Sequence, residues 1–468
     1  MRKKIILQGP TNYLEVFELN NEENALSKKY TLRTLIGFAV PTMIMMLFNA
    51  LYTGVDAIFV SRYVNTNALS AINIVMPVTS ILWGLGTMFA TGGSALIAKK
   101  MGEKNDKEAR HNFTAIIVVG CLLGVLLAIL GTVFLDEIIT ALGANENVLP
   151  YGRTYMGLLI WFAPAILIQV LFQNLFVTAG KPEMGLIVMI GAGVANLVLD
   201  FLFIAVLDMG ILGAALGTGV GYCISTVAGL VLFSQRKGTL HFSKPRITLR
   251  ELGLCCYNGS SEMVTQLATA ITMFILNITM MRYAGADGVA AATIVGNTQY
   301  LFTTLVLGFS MGVAPIISYQ FGAQNRSELR RIIKLCLFYV VAISVVLFVV
   351  CGVTASLITG LYTEKGSEAY DIAVNGFRIF TFSFLFSGIA VFTSAMFTAL
   401  SNGKISAILS FVRTFALLTV FLLVLPQILG VNGIWLATPL ADFIGALLAI
   451  SLLAASRKKY FDVQAVRE

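Results

Sequence analysis

The apolar stretch GVANLVLDFLFIAV, from Gly193 to Val206, carries a carboxamide at Asn196 and a carboxylate at Asp200. Residues four positions apart lie on one face of a helix, so these two polar groups would be neighbours. A carboxylate in apolar surroundings can hold or release a proton or a cation, because burial penalises its charged form. It can also hold helices together through a hydrogen bond. We expect a coupling role for Asp200, because Asn196 alone would supply such a bond at lower cost.

Other polar residues lie within apolar stretches, where each is a functional hypothesis because burial in lipid is costly. Their depth can be compared, since a helix rises about 1.5 Å per residue. Asp56 lies near the far end of the first apolar stretch, and Thr218 lies near the start of the sixth. Both fall in the same half of the membrane as Asp200. We therefore expect Asp56, Asn196, Asp200 and Thr218 to share one interior site.

A second group of polar residues lies in the other half of the chain. Arg413 and Asp442 fall at about the same depth on consecutive apolar stretches, which predicts a structural ion pair. Glu262 lies near the start of its stretch, with Gln266 one turn further on, and it either lines a cavity or lies close to the interface. The candidate cavity residues are Glu262, Gln266, Asn297 and Gln299.

Helices that cross a membrane must position these side chains. The 468 residues are 57% hydrophobic and 12% charged, whereas soluble chains carry roughly 25% charged residues. Several apolar runs exceed the about 20 residues that a helix needs to cross a bilayer. Backbone groups in lipid must bond internally, so the spans should be helical. Twelve spans are predicted, at 34–60, 67–98, 112–135, 147–178, 184–206, 211–235, 254–281, 287–320, 331–357, 370–400, 405–426 and 431–456.

Lysine and arginine are unevenly distributed between the predicted loops. With the N-terminus inside the cell, 26 of the 32 basic residues fall on the cytoplasmic side and five on the other side. Cytoplasmic loops carry such an excess, so a multi-pass protein of the cell membrane with both termini in the cytoplasm is predicted. The net charge of +8 follows from this topology. The sequence has no soluble basic domain that would bind nucleic acid.

The second half of the chain repeats the first at one constant offset. GEKNDKEAR at 102–110 returns as GAQNRSELR at 322–330, and RY at 62–63 returns at 282–283. Six spans per copy give both copies the same orientation. We predict an all-α integral membrane protein with 12 transmembrane helices in two six-helix lobes, related by a pseudo-two-fold axis along the membrane normal. The predicted parts are a cytoplasmic tail (1–30), a first lobe (31–235), a cytoplasmic linker (236–250) and a second lobe with a basic tail (251–468).

Motifs of other functional classes are absent from the sequence. No G-x-x-x-x-G-K-[ST] phosphate loop occurs, which argues against ATP hydrolysis by this chain. The two histidines, His111 and His241, fall in loops, and the six cysteines form no C-x-x-C pair. No metal site, cofactor or catalytic nucleophile is therefore predicted. Two lobes around a cleft favour a secondary transporter driven by an ion gradient.

Four motifs together resemble the multidrug and toxic compound extrusion (MATE) family, and in particular its bacterial multidrug efflux branch. They are VDAIFVSRYV with Asp56, NLVLD ending at Asp200, LGAALGT ending at Thr218, and GFSMGVAPIISYQFGAQN at 308–325. The resemblance covers about residues 30–456. It implies export of bulky, often cationic organic compounds in exchange for H⁺ or Na⁺.

The resemblance also implies roles for single residues. Asp56, Asn196, Asp200 and Thr218 would form the ion- or proton-coupling site, and Pro41 would be a hinge in the first helix. Some members carry an acid midway along helix 7 and another on helix 10. Here Glu262 lies earlier, and the apolar stretch of span 10 from Ala373 to Phe397 has no acid, which argues against a second-lobe sodium site.

Two other functions stay open at this stage. A flippase of lipid-linked oligosaccharides or lipids, within the same superfamily, is the alternative among transporters. A membrane-embedded enzyme is the alternative of another class and is disfavoured by the missing catalytic groups. The expected partners are the lipid bilayer and small organic substrates, and the protein is expected to be a monomer.

Overall fold

The computed structural model describes residues 24–64, 66–144, 146, 148–235 and 238–461, without the side chains of 53–63, 66, 67, 69, 458 and 461. Regular structure in these ranges is helical and includes no strand. Short 3-10 turns lie at Ala25–Ser27 and Ile160–Phe162, and π-helical turns at Phe201–Val206 and Val412–Leu417. The α-helices are α1 (Leu32–Tyr63), α2 (Thr66–Gly102), α3 (Asp106–Val133), α4 (Leu135–Ala141), α5 (Leu149–Leu159), α6 (Ala163–Thr178), α7 (Pro182–Asp200), α8 (Gly210–Ser234), α9 (Leu249–Gly322), α10 (Arg326–Tyr362), α11 (Glu368–Phe380), α12 (Phe382–Ala399), α13 (Gly403–Phe411), α14 (Leu418–Leu429), α15 (Val431–Ala455) and α16 (Arg457–Phe461).

Eleven helical segments in the described part of the chain are long and apolar enough to cross a bilayer. One of them, α9, has 74 residues, far more than the about 20 that one crossing needs. It consists of two arms that meet at Gly285, whose φ of 60° and ψ of −153° are not helical. Met273 Cε lies 3.3 Å from the position of a Cβ on Gly296. This proximity shows that the two arms fold back on each other. The chain therefore crosses twelve times, which confirms the predicted fold class.

Two of the predicted spans are broken helices. The span at 147–178 consists of α5 and α6, separated by the 3-10 turn at Ile160–Phe162. Pro164 follows directly in the first turn of α6, where its missing N–H interrupts the backbone bonding. The span at 370–400 consists of α11 and α12, which meet at Thr381. The Thr381 hydroxyl donates to the Phe377 carbonyl, a bond of the kind that bends helices.

The repeat of the sequence is also a repeat of backbone geometry. Lys104 and Gln324, at equivalent positions of the repeat, both adopt a left-handed conformation with φ of 59° and 54°. The residues that follow them, Asn105 and Asn325, cap α3 and α10 by accepting a backbone N–H three positions further on, at 3.4 and 3.3 Å. Equal turns at equal positions indicate that the two halves fold in the same way.

The two halves meet along a seam between α2 and α9. A Cβ on Gly92 of α2 would overlap the Cys255 carbonyl oxygen, and a Cβ on Gly259 of α9 would overlap that of Met88. Glycine therefore lets the two backbones touch. This contact lies toward the end of the bundle that carries Lys99, Lys181 and Arg250, which we call the basic end.

The segments outside the spans are also attached to this end. Leu26 and Tyr30, at the end of the predicted tail, are 0% and 4% exposed, so this part of the tail packs on the helices. The linker runs along α3, where Ser243 N donates to Thr114 Oγ1 at 2.9 Å. The composition of the tail and linker predicted their polarity, but it did not predict these attachments.

Candidate functional site

Asn196 and Asp200 lie on the last turns of α7, with 3% and 0% of their surface exposed. The four-residue spacing puts both side chains on the buried face of the helix. The helix then widens into a π-helical turn at Phe201–Val206, directly after the carboxylate. Such turns are rare in proteins as a whole, but many of those that occur lie at functional sites.

The neighbouring helix α8 is shaped to receive the carboxylate. A Cβ on Gly217 would overlap Asp200 Oδ1, and a Cβ on Gly221 would lie 3.1 Å from Asn196 Cβ. Glycine at both positions lets the polar face of α7 approach the backbone of α8. Thr218 follows Gly217 directly, so the structure brings Asn196, Asp200 and Thr218 to one helix interface.

A small cavity of about 10 Å³ lies beside this interface, which is room for about one water molecule or one dehydrated ion. Asn196 and Thr218 line it. Among the described residues, the Asn196 carboxamide nitrogen and oxygen and the Thr218 hydroxyl have no hydrogen-bond partner. Buried polar atoms of this kind can coordinate a small polar or cationic guest. Further lining residues from α1, α6 and α8 are Tyr52, Gln169, Tyr222 and Ser225.

Sequence reasoning missed these four lining residues and the π-helical turn. Gln169 offered a signal, because it interrupts the apolar run AILIQVLF in span 4. Tyr52 offered none, because an aromatic residue in an apolar span is ordinary. The Asp56 side chain lies outside the described residues. Its backbone lies on α1, one turn beyond Tyr52.

Pro41 lies inside α1, where its ring removes the backbone bond to the Gly37 carbonyl. The residues around it pack on the second arm of α9. A Cβ on Gly308 would lie 2.6 Å from Met43 Cα, and one on Gly312 would lie 3.0 Å from Ala39 Cα. The weakened turn of α1 is therefore held against the other lobe. The predicted hinge role of Pro41 remains a prediction.

The second lobe holds a different arrangement of charges. Arg413 Nη1 lies 2.8 Å from Asp442 Oδ1, and the Ser383 hydroxyl donates to Asp442 Oδ2. Gly445 makes room for the arginine stem, since a Cβ there would lie 2.8 Å from Arg413 Cγ. Each oxygen of this buried carboxylate has a donor, as a stable buried ion pair requires.

The remaining candidate cavity residues lie on α9, away from the first-lobe cavity. Glu262 and Gln266 are half-buried on the first arm, and Gln266 Cβ lies 3.6 Å from the position of a Cβ on Gly84 of α2. On the second arm, Asn297 is exposed and Gln299 is half-buried. Their role as cavity residues stays a prediction. In the described part of the chain, no three His, Cys, Asp or Glu side chains gather as metal ligands.

Twelve helical crossings in two similar halves, with a buried carboxylate in each half, define the class of secondary transporters built from repeats. The MatE family model matches the chain in two stretches, residues 41–202 and 263–425. These stretches cover more than half of the chain and correspond to its two halves. The chain belongs to the MatE family, the multidrug and toxic compound extrusion transporters.

Curated relatives cover nearly the whole chain. The multidrug export protein MepA of Staphylococcus saprophyticus is 24% identical over 439 residues, which are 92% of this chain and 95% of that protein. MepA of Staphylococcus haemolyticus is 24% identical over 432 residues, covering 91% and 94%.

Solved structures share the fold. A multidrug resistance MATE family transporter in an outward-facing conformation superposes with a TM-score of 0.87 at 21% identity, covering 94% of this chain and all of that one. A transporter from Pyrococcus furiosus, described by a reversed polarity of its binding pocket that suggests a different function, gives a TM-score of 0.86 at 21% identity, covering 94% and 99%.

Proposed function

We propose that this protein exports bulky, mainly cationic organic compounds from the cell in exchange for H⁺ or Na⁺. The supporting observation is the first-lobe site, where fully buried Asp200 lies one helical turn from Asn196, which lines a cavity with room for one small ion. The multidrug export function of the relatives named MepA supports the same conclusion. No cofactor and no chemical conversion of the substrate are required.

The proposed exchange depends on the charge of one carboxylate. An organic or metal cation stabilises ionised Asp200, whereas a proton arriving from outside neutralises it and weakens the attraction for the cation. Asn196 and Thr218 offer oxygens to the guest, and Asp56 shares the negative charge in the proposed site. Because proton and cation compete, each inward proton or Na⁺ is linked to release of the exported compound.

Ethidium efflux from membrane vesicles, under separately imposed proton and sodium gradients, tests this function. Asp200→Asn keeps the shape and hydrogen bonding of the side chain but cannot ionise, so it should abolish gradient-driven efflux at normal expression. Asp208→Asn is the matched control, since Asp208 is exposed eight residues further on and asparagine tolerates its φ of 50°. Wild-type efflux by the Asp200→Asn protein would reduce NLVLD to a helix-packing motif.

We propose that the basic end faces the cytoplasm and that a single chain carries out transport. The excess of basic residues supports this orientation. The residues that line the cavity all lie within the first lobe, so the proposed site is complete in a single copy. A cysteine placed at the exposed position Lys107 should resist an impermeant thiol reagent added to intact cells. Rapid labelling from outside would reverse the proposed orientation. Efflux by liposomes that each contain one copy of the protein tests whether a single chain is sufficient for transport, and efflux is expected.

A further inference from the structure

At the basic end, each lobe holds the segment that leads into the other lobe. Lys100, near the end of α2, donates to Glu108 of its own lobe at 2.6 Å and also lies near Glu251 at the start of α9, with Nζ 3.5 Å from Oε1. Gln320, its equivalent in the repeat near the end of α9, extends from the second lobe to the segment before α1. Its Nε2 donates to the Leu26 carbonyl at 3.3 Å. Equivalent positions of the repeat therefore each contribute a polar contact between the lobes.

The segment 24–30 is built as a rigid wedge. Asn24 Oδ1 accepts from Leu26 N at 3.1 Å, and the Tyr30 hydroxyl donates to the Ala25 carbonyl at 2.7 Å. A Cβ on Gly180, in the turn between α6 and α7, would lie 2.8 Å from Ala25 Cβ. The wedge therefore lies between that turn of the first lobe and Gln320 of the second, with Leu26 fully buried in the apolar core.

The backbones interlock beside these contacts. A Cβ on Gly102 would overlap the Tyr319 carbonyl oxygen, and a Cβ on Gly322 would overlap that of Lys99. Since backbone touches backbone, side-chain rearrangement alone cannot open a path at this end. The lobes must separate as bodies, and the contacts of Lys100 and Gln320 must break when they do.

We propose that residues 24–30, held by Gln320, form a latch that keeps the basic end closed, and that Lys100 with Glu251 is its weaker counterpart. The Lys100 and Glu251 side chains are 21% and 20% exposed, so solvent and salt screen their attraction. Gln320 is 3% exposed, and the segment that it holds also buries Leu26 completely. Breaking the latch therefore costs more than breaking the ion pair, and release of the wedge controls opening.

This inference rests on the proposed function only in requiring that the lobes separate at the basic end. A native thiol can report that separation without any transported substrate. Cys255 is fully buried in the seam, where its Sγ donates to the Phe89 carbonyl at 3.6 Å. Cys336 on α10 is equally buried but lies within the second lobe. Two full-length proteins are needed, one retaining only Cys255 and one retaining only Cys336.

The rate of alkylation by N-ethylmaleimide is then compared between latch variants and a control. Leu26→Ser and Gln320→Leu should each speed alkylation of Cys255 about tenfold, because each removes a buried interaction of the closed state. Lys100→Met should speed it about twofold. Lys28→Ala is the control, since Lys28 is exposed within the same segment, and it should leave the rate unchanged.

The Cys336 protein separates opening from loosening of the fold, and its alkylation rate should not change in any variant. Equal acceleration at Cys336 would assign the effect to general destabilisation and overturn the latch. A Cys255 rate in Leu26→Ser and Gln320→Leu equal to that of Lys28→Ala would also overturn it. Neither result depends on ethidium efflux, so failure of the proposed export function would be recognised separately.

Discussion

The two lobes have turns of similar conformation at equivalent positions, but the helices between those turns carry different polar residues. The turn before α7 contains Gly180 with φ of 75°, and the turn before α13 contains Ser401 with φ of 58°. The helices α8 and α15 follow Gly210 and Gly430, whose φ values are 57° and 58°. These paired turns give a register for comparing the two halves residue by residue.

In this register, the two residues of the second-lobe ion pair correspond to two residues that line the first-lobe cavity. Arg413 lies twelve residues after Ser401 and corresponds to Ala192, and Asp442 lies twelve after Gly430 and corresponds to Tyr222. Ala192 and Tyr222 both line the first-lobe cavity. Where the first lobe keeps room for a small guest, the second lobe places an arginine and a carboxylate that neutralise each other.

The carboxylate of the first lobe has no acidic counterpart. Counted from Gly180 and Ser401, Asp200 corresponds to Phe421 and Asn196 to Leu417. Counted back from Gly210 and Gly430, they correspond to Val420 and Ala416, and none of these residues is acidic. The buried Asp442 of the second lobe is paired with an arginine, whereas the proposed coupling carboxylate of the first lobe has no arginine at the corresponding positions. If Asp200 is the coupling group, as proposed, the two copies share their scaffold and differ in the residues that take part in coupling.

The largest expected effect comes from removing half of the second-lobe pair. Asp442→Leu or Arg413→Met leaves one unpaired buried charge, so each single variant should lose about 3–5 kcal/mol of stability. The double variant leaves no charge and should lose much less. Thermal unfolding of the purified proteins measures this. Additive losses would mean that the two residues contribute independently, and loss of efflux by a stable double variant would give the second lobe a role in coupling.

A smaller effect is expected from exchanging the residues that pack against the two sites. Gly217 lies under the Asp200 carboxylate, and its counterpart in the repeat is Ala437. Gly217→Ala should displace the carboxylate and slow ethidium efflux, by about a hundredfold if the geometry shifts by about 1 Å. Ala437→Gly is the matched control and should cost about 1 kcal/mol of stability without slowing efflux. Equal efflux by both variants would contradict the assigned position of Asp200.

The fold was largely predictable from the sequence, because lipid imposes helices of fixed minimum length on apolar runs. The grouping of Asn196, Asp200 and Thr218 was predictable from depth and helical periodicity. The cavity was not, because Tyr52 and Gln169 reach it from helices whose rotation no apolar run specifies. Breaks such as the one at Thr381 depend on local side-chain to backbone bonds. These bonds have no signature in composition.

The smallest effects are expected from the neutral members of the first-lobe site. Asn196→Leu installs the residue type of Leu417, its counterpart counted from Ser401, and it should slow efflux about tenfold by removing a proposed ligand of the guest. Thr218→Val keeps the shape and removes one hydroxyl, so a loss of about threefold is expected.

Thr438→Val provides the matched control for both variants, since Thr438 is the half-buried counterpart of Thr218 on α15. It should leave ethidium efflux unchanged, because the carboxylate one turn away, Asp442, is paired with Arg413. If Thr438→Val slowed efflux as much as Thr218→Val, the two lobes would share the coupling step. The second-lobe charges would then be part of the transport cycle. If the ion pair were only structural, removing the neighbouring Thr438 hydroxyl would not affect exchange.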